Sequence, residues 1–286
     1  MTLKKAYRTM FITIILMMLA IIFYAFEVSK LNLGWGIAGF SIASIVSISA
    51  VVFSLNTMKH EKEVKKTGFF HTHRFEILDW ISFLSISLMI IFIVFSFFML
   101  PSDVDQNSMY PTLKPHDRIL ISHFNYEPKR NDVVILRITK EDYPLVLDSM
   151  FYEYDSHDNL TEVLDEIYFV KRIMAIPGDK INFQSIGEQF RILVNDEIIF
   201  TPEGEQYLVT QNQRVIMEND LINQILIEGR FMTFGDNPNG FTYIDPQTQL
   251  EISIPGSFDS RSFGAIKEDH IIGKVVFKLW PFGGIQ

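Results

Sequence analysis

The chain has 286 residues, no cysteine and a formal net charge of −9, although 48% of its residues are hydrophobic. Without cysteine it can form neither a disulfide nor a thiolate metal site. The charge is unevenly divided, since residues 1–100 carry a net charge of +4 and residues 101–286 a net charge of −13. This asymmetry excludes one uniform globular domain and predicts a membrane region over 1–100 joined to an acidic soluble domain over 101–286.

Three apolar runs dominate the first hundred residues, at 10–26, 33–55 and 80–100. Because about 20 apolar residues of helix cross a bilayer core, the runs predict three transmembrane helices. A cleaved signal peptide is the alternative for the first run, but the run exceeds the usual apolar stretch of roughly 7–15 residues and no small-x-small site follows it. A single span at 80–100 is the other alternative.

Basic residues predict the orientation of these spans. Lys4, Lys5 and Arg8 precede the first span, and five more basic residues lie between the second and the third, whereas the link between the first two has only Lys30. Basic segments favour the cytoplasmic side. We therefore expect a multi-pass protein of the cell membrane, with a cytoplasmic N-terminus and everything after Leu100 extracytoplasmic.

The second region contains short runs rich in Ile, Val and Phe between turn signals. These runs predict the strands of an antiparallel, mostly β domain. They lie at 118–124, 132–138, 168–176, 190–194, 231–234 and 271–279. Two stretches, near 140–167 and 238–258, interrupt the pattern and are interpreted as surface insertions.

Four segments of this domain contain the polar side chains on which we base a functional hypothesis. They are 107–113 (NSMYPTL), 168–179 (YFVKRIMAIPGD), 234–237 (FGDN) and 257–264 (SFDSRSFG). Singly they say little, because a serine near a proline is usually a turn residue and a strand lysine is usually solvated. In this order, after membrane spans, they resemble the successive motifs of type I signal peptidases, peptidase family S26, in the Gram-positive-like form. The resemblance covers most of 105–282 and implies the β catalytic domain of that family.

The resemblance implies that Ser108 is a nucleophile and Lys171 its general base. A serine hydroxyl is a weak nucleophile until a base takes its proton, and a lysine can do so only as the neutral amine. Its ordinary pKa, about 10.4, must therefore be lowered by burial. Strand alternation permits either Lys171 or Arg172 to face apolar neighbours, and only the resemblance selects Lys171.

Further site residues also follow from the resemblance. The amide of Ser108 would be one donor to an oxyanion. Gln106 stands where some family members have a serine that supplies the second donor, so either the Gln106 amide donates or the backbone acts alone.

Supporting roles are implied for residues of the last two motifs. Ser257 matches a serine that hydrogen-bonds the catalytic lysine. Asp259 and Arg261 match a pair that braces the site, for which a purely structural ion pair is the plainer interpretation, and Asp236 is interpreted as structural. The stretch 238–258 separates these motifs by more residues than is usual in the family.

The implied activity is removal of signal peptides from translocated preproteins by a membrane-bound serine endopeptidase. Ser108 follows Leu100 by eight residues, so an extended link reaches only about 29 Å from the last span. The expected partners are the lipid bilayer and secretory preproteins with small residues before the cleavage site, near the translocation machinery. The expected substrate conformation is extended beside a strand edge.

We expect no cofactor, no metal and no nucleic acid. His71 and His73, with His60 nearby, would permit a metal cluster, but a solvated loop is the simpler interpretation. Two alternative functions remain at this point. One is an accessory or binding protein that retains the signal peptidase scaffold, and the other is a dedicated processing peptidase with few clients.

Overall fold

The computed structural model describes residues 2–29, 34–60, 69–154, 160–244, 251–254 and 256–285. The chain divides into two compact units. One comprises Met1–Leu100 with His123–Asn125, and the other comprises Pro101–Ser122 with Tyr126–Gln286. Three long apolar helices followed by an antiparallel β-sheet domain confirm the predicted fold class.

The first unit contains the helices α1 (Leu3–Ala25), α2 (Gly34–His60) and α3 (Phe69–Phe97). Each is long and apolar enough to cross a membrane. Each helix extends beyond its apolar run at one end, where polar flanking residues continue the helical hydrogen bonding. At the other end each helix falls short of its run by one to three residues, and α3 ends at Phe97 because a strand begins at Met99. At the start of α1, for example, Thr2 Oγ1 accepts a hydrogen bond from the amide of Lys5 at 3.3 Å, which caps the helix.

Close contacts show that α2 runs antiparallel to its neighbours. A methyl group on Gly36 would lie 2.2 Å from Ser96 Oγ, and one on Gly39 would lie 2.3 Å from the ring of Phe92, so the start of α2 packs tightly on the end of α3. Small residues permit this approach between helices in lipid. Further along α2, a hydrogen bond of 2.8 Å joins the hydroxyls of Thr13 and Ser47.

The second unit is built from strands. The first strand crosses the boundary between the two units. In chain order, the strands among the described residues are β1 (Met99–Asp103), β2 (Arg118–Ser122), β3 (Val133–Thr139), β4 (Tyr152–Tyr154), β5 (Leu160–Val163), β6 (Glu166–Ala175), β7 (Ile181–Ile186), β8 (Gln189–Val194), β9 (Glu197–Ile198), β10 (Leu208–Val209), β11 (Leu221–Ile222), β12 (Ile225–Leu226), β13 (Arg230–Phe234), β14 (Phe241–Ile244), β15 (Glu251–Ile254), β16 (Ile266–Lys267) and β17 (Ile271–Trp280). Short helices α4 (Gln211–Glu218) and α5 (Ser260–Phe263) accompany them.

A seven-stranded sheet with the order β1-β2-β17-β3-β6-β13-β16 forms the framework. In this spatial order, each pair of neighbouring strands from β2 to β16 is antiparallel. A smaller sheet has the order β10-β8-β7, with β9 paired to β8. The stretches 140–167 and 238–258 contain the antiparallel hairpins β4–β5 and β14–β15, whose intervening residues lie outside the described ones.

Two apolar cores flank the centre of the large sheet. Leu136, Phe169 and Ile173 belong to the first core. Ile192 and Met217, from β8 and α4, belong to the second. Strands β6 and β13 contribute to both cores, so their backbones are held on both sides. Residues on these two strands are therefore positioned more firmly than residues on any surface loop.

Candidate active site

Ser108 lies on a short turn between β1 and β2. The amide of Tyr110 donates to Asn107 O at 3.0 Å, and the amide of Leu113 donates to Met109 O at 2.9 Å. The side chains of Met109 and Leu113 are buried, which anchors the turn in the domain. Ser108 itself remains half-buried, and its hydroxyl is thus presented at a fixed place.

Asn237, just after β13, holds this turn from the other side. Its amide donates to Ser108 O at 3.1 Å, and its side-chain Nδ2 donates to Asn107 O at 3.2 Å. Asn237 also accepts a hydrogen bond from the amide of Ser257 at 2.8 Å. Asn237 therefore joins three of the four sequence motifs through the backbone.

Lys171 lies in β6, paired with Val134 of β3, and only 1% of it is exposed. Its Nζ donates to Ser108 Oγ at 2.7 Å. The alternate residues Phe169 and Ile173 are also buried, as the sequence pattern permitted. The structure thus brings together the two side chains that the resemblance singled out, although they are 63 positions apart.

Burial lowers the pKa of Lys171 from its ordinary value to about 8. The negative charge of Asp259 acts in the opposite direction, while the positive charge of Arg261 lowers the pKa further. Asp236 also raises the pKa of Lys171, but desolvation is the largest influence and decides the direction of the shift. A neutral amine is therefore accessible at mildly alkaline pH.

Arg172 points away from Lys171 and has a different task. Its Nε and Nη2 donate to the two carboxylate oxygens of Asp236 at 2.8 and 2.7 Å. Its Nη1 donates to Asn131 O at 3.1 Å, and Thr112 Oγ1 donates to Asp236 at 2.5 Å. The pair thus ties β6 to the end of β13 and to the turn that carries Ser108.

Asp259 and Arg261 form a second buried ion pair. Arg261 Nε and Nη2 donate to the Asp259 oxygens at 2.8 and 2.9 Å, and the amide of Gly235 donates to Asp259 Oδ2 at 2.9 Å. Burial opposes ionisation of Asp259, but the charge and hydrogen bonds of Arg261 outweigh it and hold the pKa of Asp259 below its ordinary value. Asp259 also caps α5 by accepting from the amide of Arg261. This pair fixes the chain beyond Ser257.

The position of Ser257 corrects one expectation, because its hydroxyl does not hydrogen-bond Lys171. Among the described residues, Ser257 Oγ is buried without a hydrogen-bond partner. The hydroxyl packs instead against Gly235, where a Cβ would lie 2.2 Å from Ser257 Oγ and 2.4 Å from Ser108 O. Gly235 is thus required to be glycine, since it admits both serines beside it.

Gln106 is exposed two residues before Ser108, and no hydrogen bond to another described residue orients its side chain. The amide of Ser108 likewise donates to no other described residue. That amide is therefore free to meet a ligand oxygen. The geometry favours the backbone over Gln106 as the prearranged donor.

Sequence reasoning missed the contributions of Thr112 and Asn237. Both lie inside the four motifs, but the resemblance implies no role for either of them. The available signal was that each is a polar residue next to apolar residues that the fold buries. The partners of their hydrogen bonds are distant in sequence, so the contacts themselves could not have been identified.

The histidines considered for a metal site do not provide one in the described part. The side chains of His60 and His71 lie outside the described ones, and His73 Nδ1 lies 2.9 Å from Glu76. Among the described residues, no cluster of three or more histidine or acidic side chains is placed to hold a metal ion.

The three helices and the β-sheet domain define the class of protein in which a β domain follows helices long and apolar enough to cross a membrane. A family model described as signal peptidase, peptidase S26, matches residues 77–280. The chain belongs to that family, and relatives named Signal peptidase IB support its resemblance to the type I signal peptidases.

The segments over which three relatives match this chain are 187 to 215 residues long. Signal peptidase IB of Staphylococcus aureus strain COL is 26% identical over 215 residues, which are 72% of this chain and 91% of the relative. The protein of the same name from strain N315 matches to the same extent. Thylakoidal processing peptidase 1, chloroplastic, of Arabidopsis thaliana is 26% identical over 187 residues, 63% of this chain and 42% of the relative.

Proposed function

We propose that this protein removes signal peptides from secretory preproteins with Ser108 as the nucleophile and Lys171 as the general base. One observation carries the proposal: the Nζ of Lys171 lies 2.7 Å from Ser108 Oγ in a site that excludes water from the amine. Hydrogen-bond distance between nucleophile and base is the geometric requirement for activating serine. Lowering of the pKa of Lys171 to about 8 meets the chemical requirement.

In the first half of the reaction, the neutral amine of Lys171 accepts the Ser108 proton as Oγ attacks the scissile carbonyl. The carbonyl oxygen becomes an oxyanion, to which the amide of Ser108 donates. The Lys171 ammonium then gives its proton to the departing amine, which leaves as the new N-terminus of the mature protein. An ester joins Ser108 to the signal peptide.

In the second half, a water molecule attacks this ester. Lys171, neutral again, accepts a proton from the water, and Ser108 Oγ leaves and takes that proton back. The signal peptide is released with a free carboxylate. No metal or redox cofactor takes part, so a chelator is expected to leave the rate unchanged.

The remaining residues are proposed to position the dyad. Asp259 and Arg261 neutralise each other, so that neither charge fixes the protonation state of Lys171. Asp236 holds Arg172, the neighbour of Lys171, in place.

We further propose that the protein lies in the cell membrane with its N-terminus in the cytoplasm and its catalytic domain outside. The distribution of basic residues around the three spans supports this orientation. The short link from Leu100 to Ser108 keeps the nucleophile near the membrane, where a translocated preprotein presents its cleavage site. Work at that place implies proximity to the translocation machinery.

The test is cleavage of a preprotein by the purified protein reconstituted in liposomes, with the products measured by mass spectrometry. We expect a single cut after a small residue beyond the apolar segment of the signal peptide. Wild-type protein that binds the preprotein but never cuts it would instead identify an accessory protein.

A further inference from the structure

The three membrane helices enclose an open groove that the proposed chemistry does not use. The groove has a volume of about 540 Å³ and a mostly apolar lining. All three helices contribute, with Ile21 of α1, Ser41 and Ile45 of α2, and Ile93 of α3 among the lining residues.

The groove lies toward one end of the helices. Its lining residues occupy 17–24 of α1, 36–48 of α2 and 92–97 of α3. These are the last part of α1, the first part of α2 and the last part of α3, and α2 runs antiparallel to the other two. With a rise of about 1.5 Å per residue, the α3 portion is within about 8 Å of the helix end. The groove therefore occupies the half of the bilayer from which the chain leaves α3 toward Leu100.

The lining indicates an apolar ligand. The hydroxyl of Ser41 donates to Ile37 O and that of Ser44 to Phe40 O, each at 2.8 Å. Both hydroxyl protons are thus used within α2, so neither serine can donate a hydrogen bond to a ligand in the groove. What the two serines contribute to the lining is their small size. Ile21, on the α1 side, is 64% exposed. An apolar helix or chain satisfies such a surface, whereas a polar ligand would lose hydrogen bonds there.

We propose that this groove binds the apolar segment of the signal peptide, an inference that rests on the proposed function. A signal peptide carries its cleavage site just beyond an apolar stretch of roughly 7–15 residues. Ser108 follows Phe97, a lining residue, by eleven positions, so the link between them spans at most about 40 Å. Any substrate that reaches Ser108 from the bilayer brings its apolar segment to this half of the membrane.

Small lining residues favour this occupant over a loosely held acyl chain. Ala20 and Ser41 are small enough to let the backbone of a second helix approach closely, and close packing is what drives association of helices in lipid. Binding at two linked places would also raise the effective concentration of the cleavage site at Ser108. The groove thereby gives the additional spans a function that one anchor cannot supply.

Photo-crosslinking tests the site directly and needs no turnover. The full-length Ser108→Ala protein in liposomes would be mixed with a preprotein that carries a photoreactive leucine analogue in its apolar segment. We expect the crosslinks to map to 17–24 and 36–48. Crosslinks found only on lipid, or on other helix faces, would overturn the proposal. Occupation of the groove by a second copy of this chain would overturn it as well.

A kinetic comparison tests the contribution to specificity. Ser41→Phe fills the groove. Val94→Phe is the matched control, since Val94 is 37% exposed and lies in the segment 92–97 of α3 that borders the groove, but does not itself line it. Two substrates are compared, a preprotein and a short peptide without an apolar segment, and kcat/KM for the first is divided by kcat/KM for the second. We expect Ser41→Phe to lower this ratio by about threefold to tenfold, chiefly by raising the KM for the preprotein.

The control is expected to keep the wild-type ratio. An unchanged ratio in Ser41→Phe, or an equal fall in both variants, would contradict the proposal. Failure of wild type to cleave either substrate would overturn the proposed function, whereas the crosslinks would still decide whether the groove binds the apolar segment.

Discussion

At the scale of single residues, the proposed chemistry depends on the protonation state of Lys171. Its side chain is almost wholly buried beside a hydroxyl, and burial lowers its pKa to about 8. The ammonium form predominates below that pH and the neutral amine above it. Only the neutral form can take the Ser108 proton, so the direction of the pH dependence is determined.

We therefore expect kcat/KM to rise with pH and to level off above about 8, with a tenfold fall for each pH unit below. A short peptide substrate measured over a series of buffers from about pH 6 to 10 gives this profile. A rate that is already at its plateau near about pH 6 would mean that the base has a different pKa or is a different residue.

Gly235 provides the second prediction at this scale. In Gly235→Ala the new Cβ would lie 2.4 Å from Ser108 O and 2.2 Å from Ser257 Oγ, so the turn carrying Ser108 must move. Because a misplacement of about 1 Å can cost about 100-fold in rate, we expect a loss of that order in kcat. Gly283→Ala is the matched control, since a Cβ there meets nothing within 4 Å.

Urea unfolding of both glycine variants distinguishes a displaced nucleophile from a damaged fold. Activity of Gly235→Ala near the wild-type level would show that Ser108 does not depend on this contact. The need for glycine at this place could not have been predicted, because its two neighbours come from motifs far away in the chain.

At the scale of structural elements, the buried pair Arg172–Asp236 connects β6, β13 and the turn that carries Ser108. Removing one partner leaves the other charge buried and unpaired, which costs about 3–5 kcal/mol. We expect Asp236→Leu alone to lower the free energy of unfolding by about that amount, whereas Arg172→Met combined with Asp236→Leu should lose much less. Urea unfolding of the two single variants and the double variant measures the difference.

The ion pair Arg118–Asp103, which joins β2 to β1, provides a control, because both side chains are more than half exposed. An exposed pair is worth about 0–1 kcal/mol, so Asp103→Asn should have little effect on unfolding. Equal losses for Asp103→Asn and Asp236→Leu would contradict the structural role given to the buried pair.

Strand positions were largely predictable at this scale. The six apolar runs correspond to β2, β3, β6, β8, β13 and β17 to within two residues at either end, because alternation and turn residues are local signals. The sequence pattern did not predict β1, β7, β16, the short strands β9 to β12, the hairpin strands of the two insertions or α5, nor did it predict the helix α4. The helix has only eight residues, and its capping box of Thr210 and Gln213 was overlooked.

The site itself was predictable in part. The resemblance supplied Ser108 and Lys171, and the fold places them in contact. The lack of a hydrogen-bond partner for Ser257 Oγ in the described part of the chain could not be anticipated, since it depends on how closely three distant segments approach one another. The same holds for the division of labour between Lys171 and Arg172, which strand alternation leaves open and long-range packing decides.

At the scale of the whole molecule, the proposed orientation gives a prediction that exploits the absence of cysteine. Each introduced cysteine reports alone. Thr2 and Glu188 are both exposed, one before α1 and the other between β7 and β8. In intact cells, a membrane-impermeant maleimide should label Glu188→Cys but not Thr2→Cys. After lysis, both should react. The reverse pattern in intact cells would place the β domain in the cytoplasm.

The most direct measurement of the central claim compares wild type, Ser108→Ala and Lys171→Ala in the liposome assay with a preprotein. Loss of a positioned general base costs about 100- to 10,000-fold in rate. We expect the rate of preprotein cleavage to fall at least about 100-fold in each variant, while each variant keeps the cooperative unfolding transition of a folded protein. Processing by Lys171→Ala within tenfold of wild type would contradict the account.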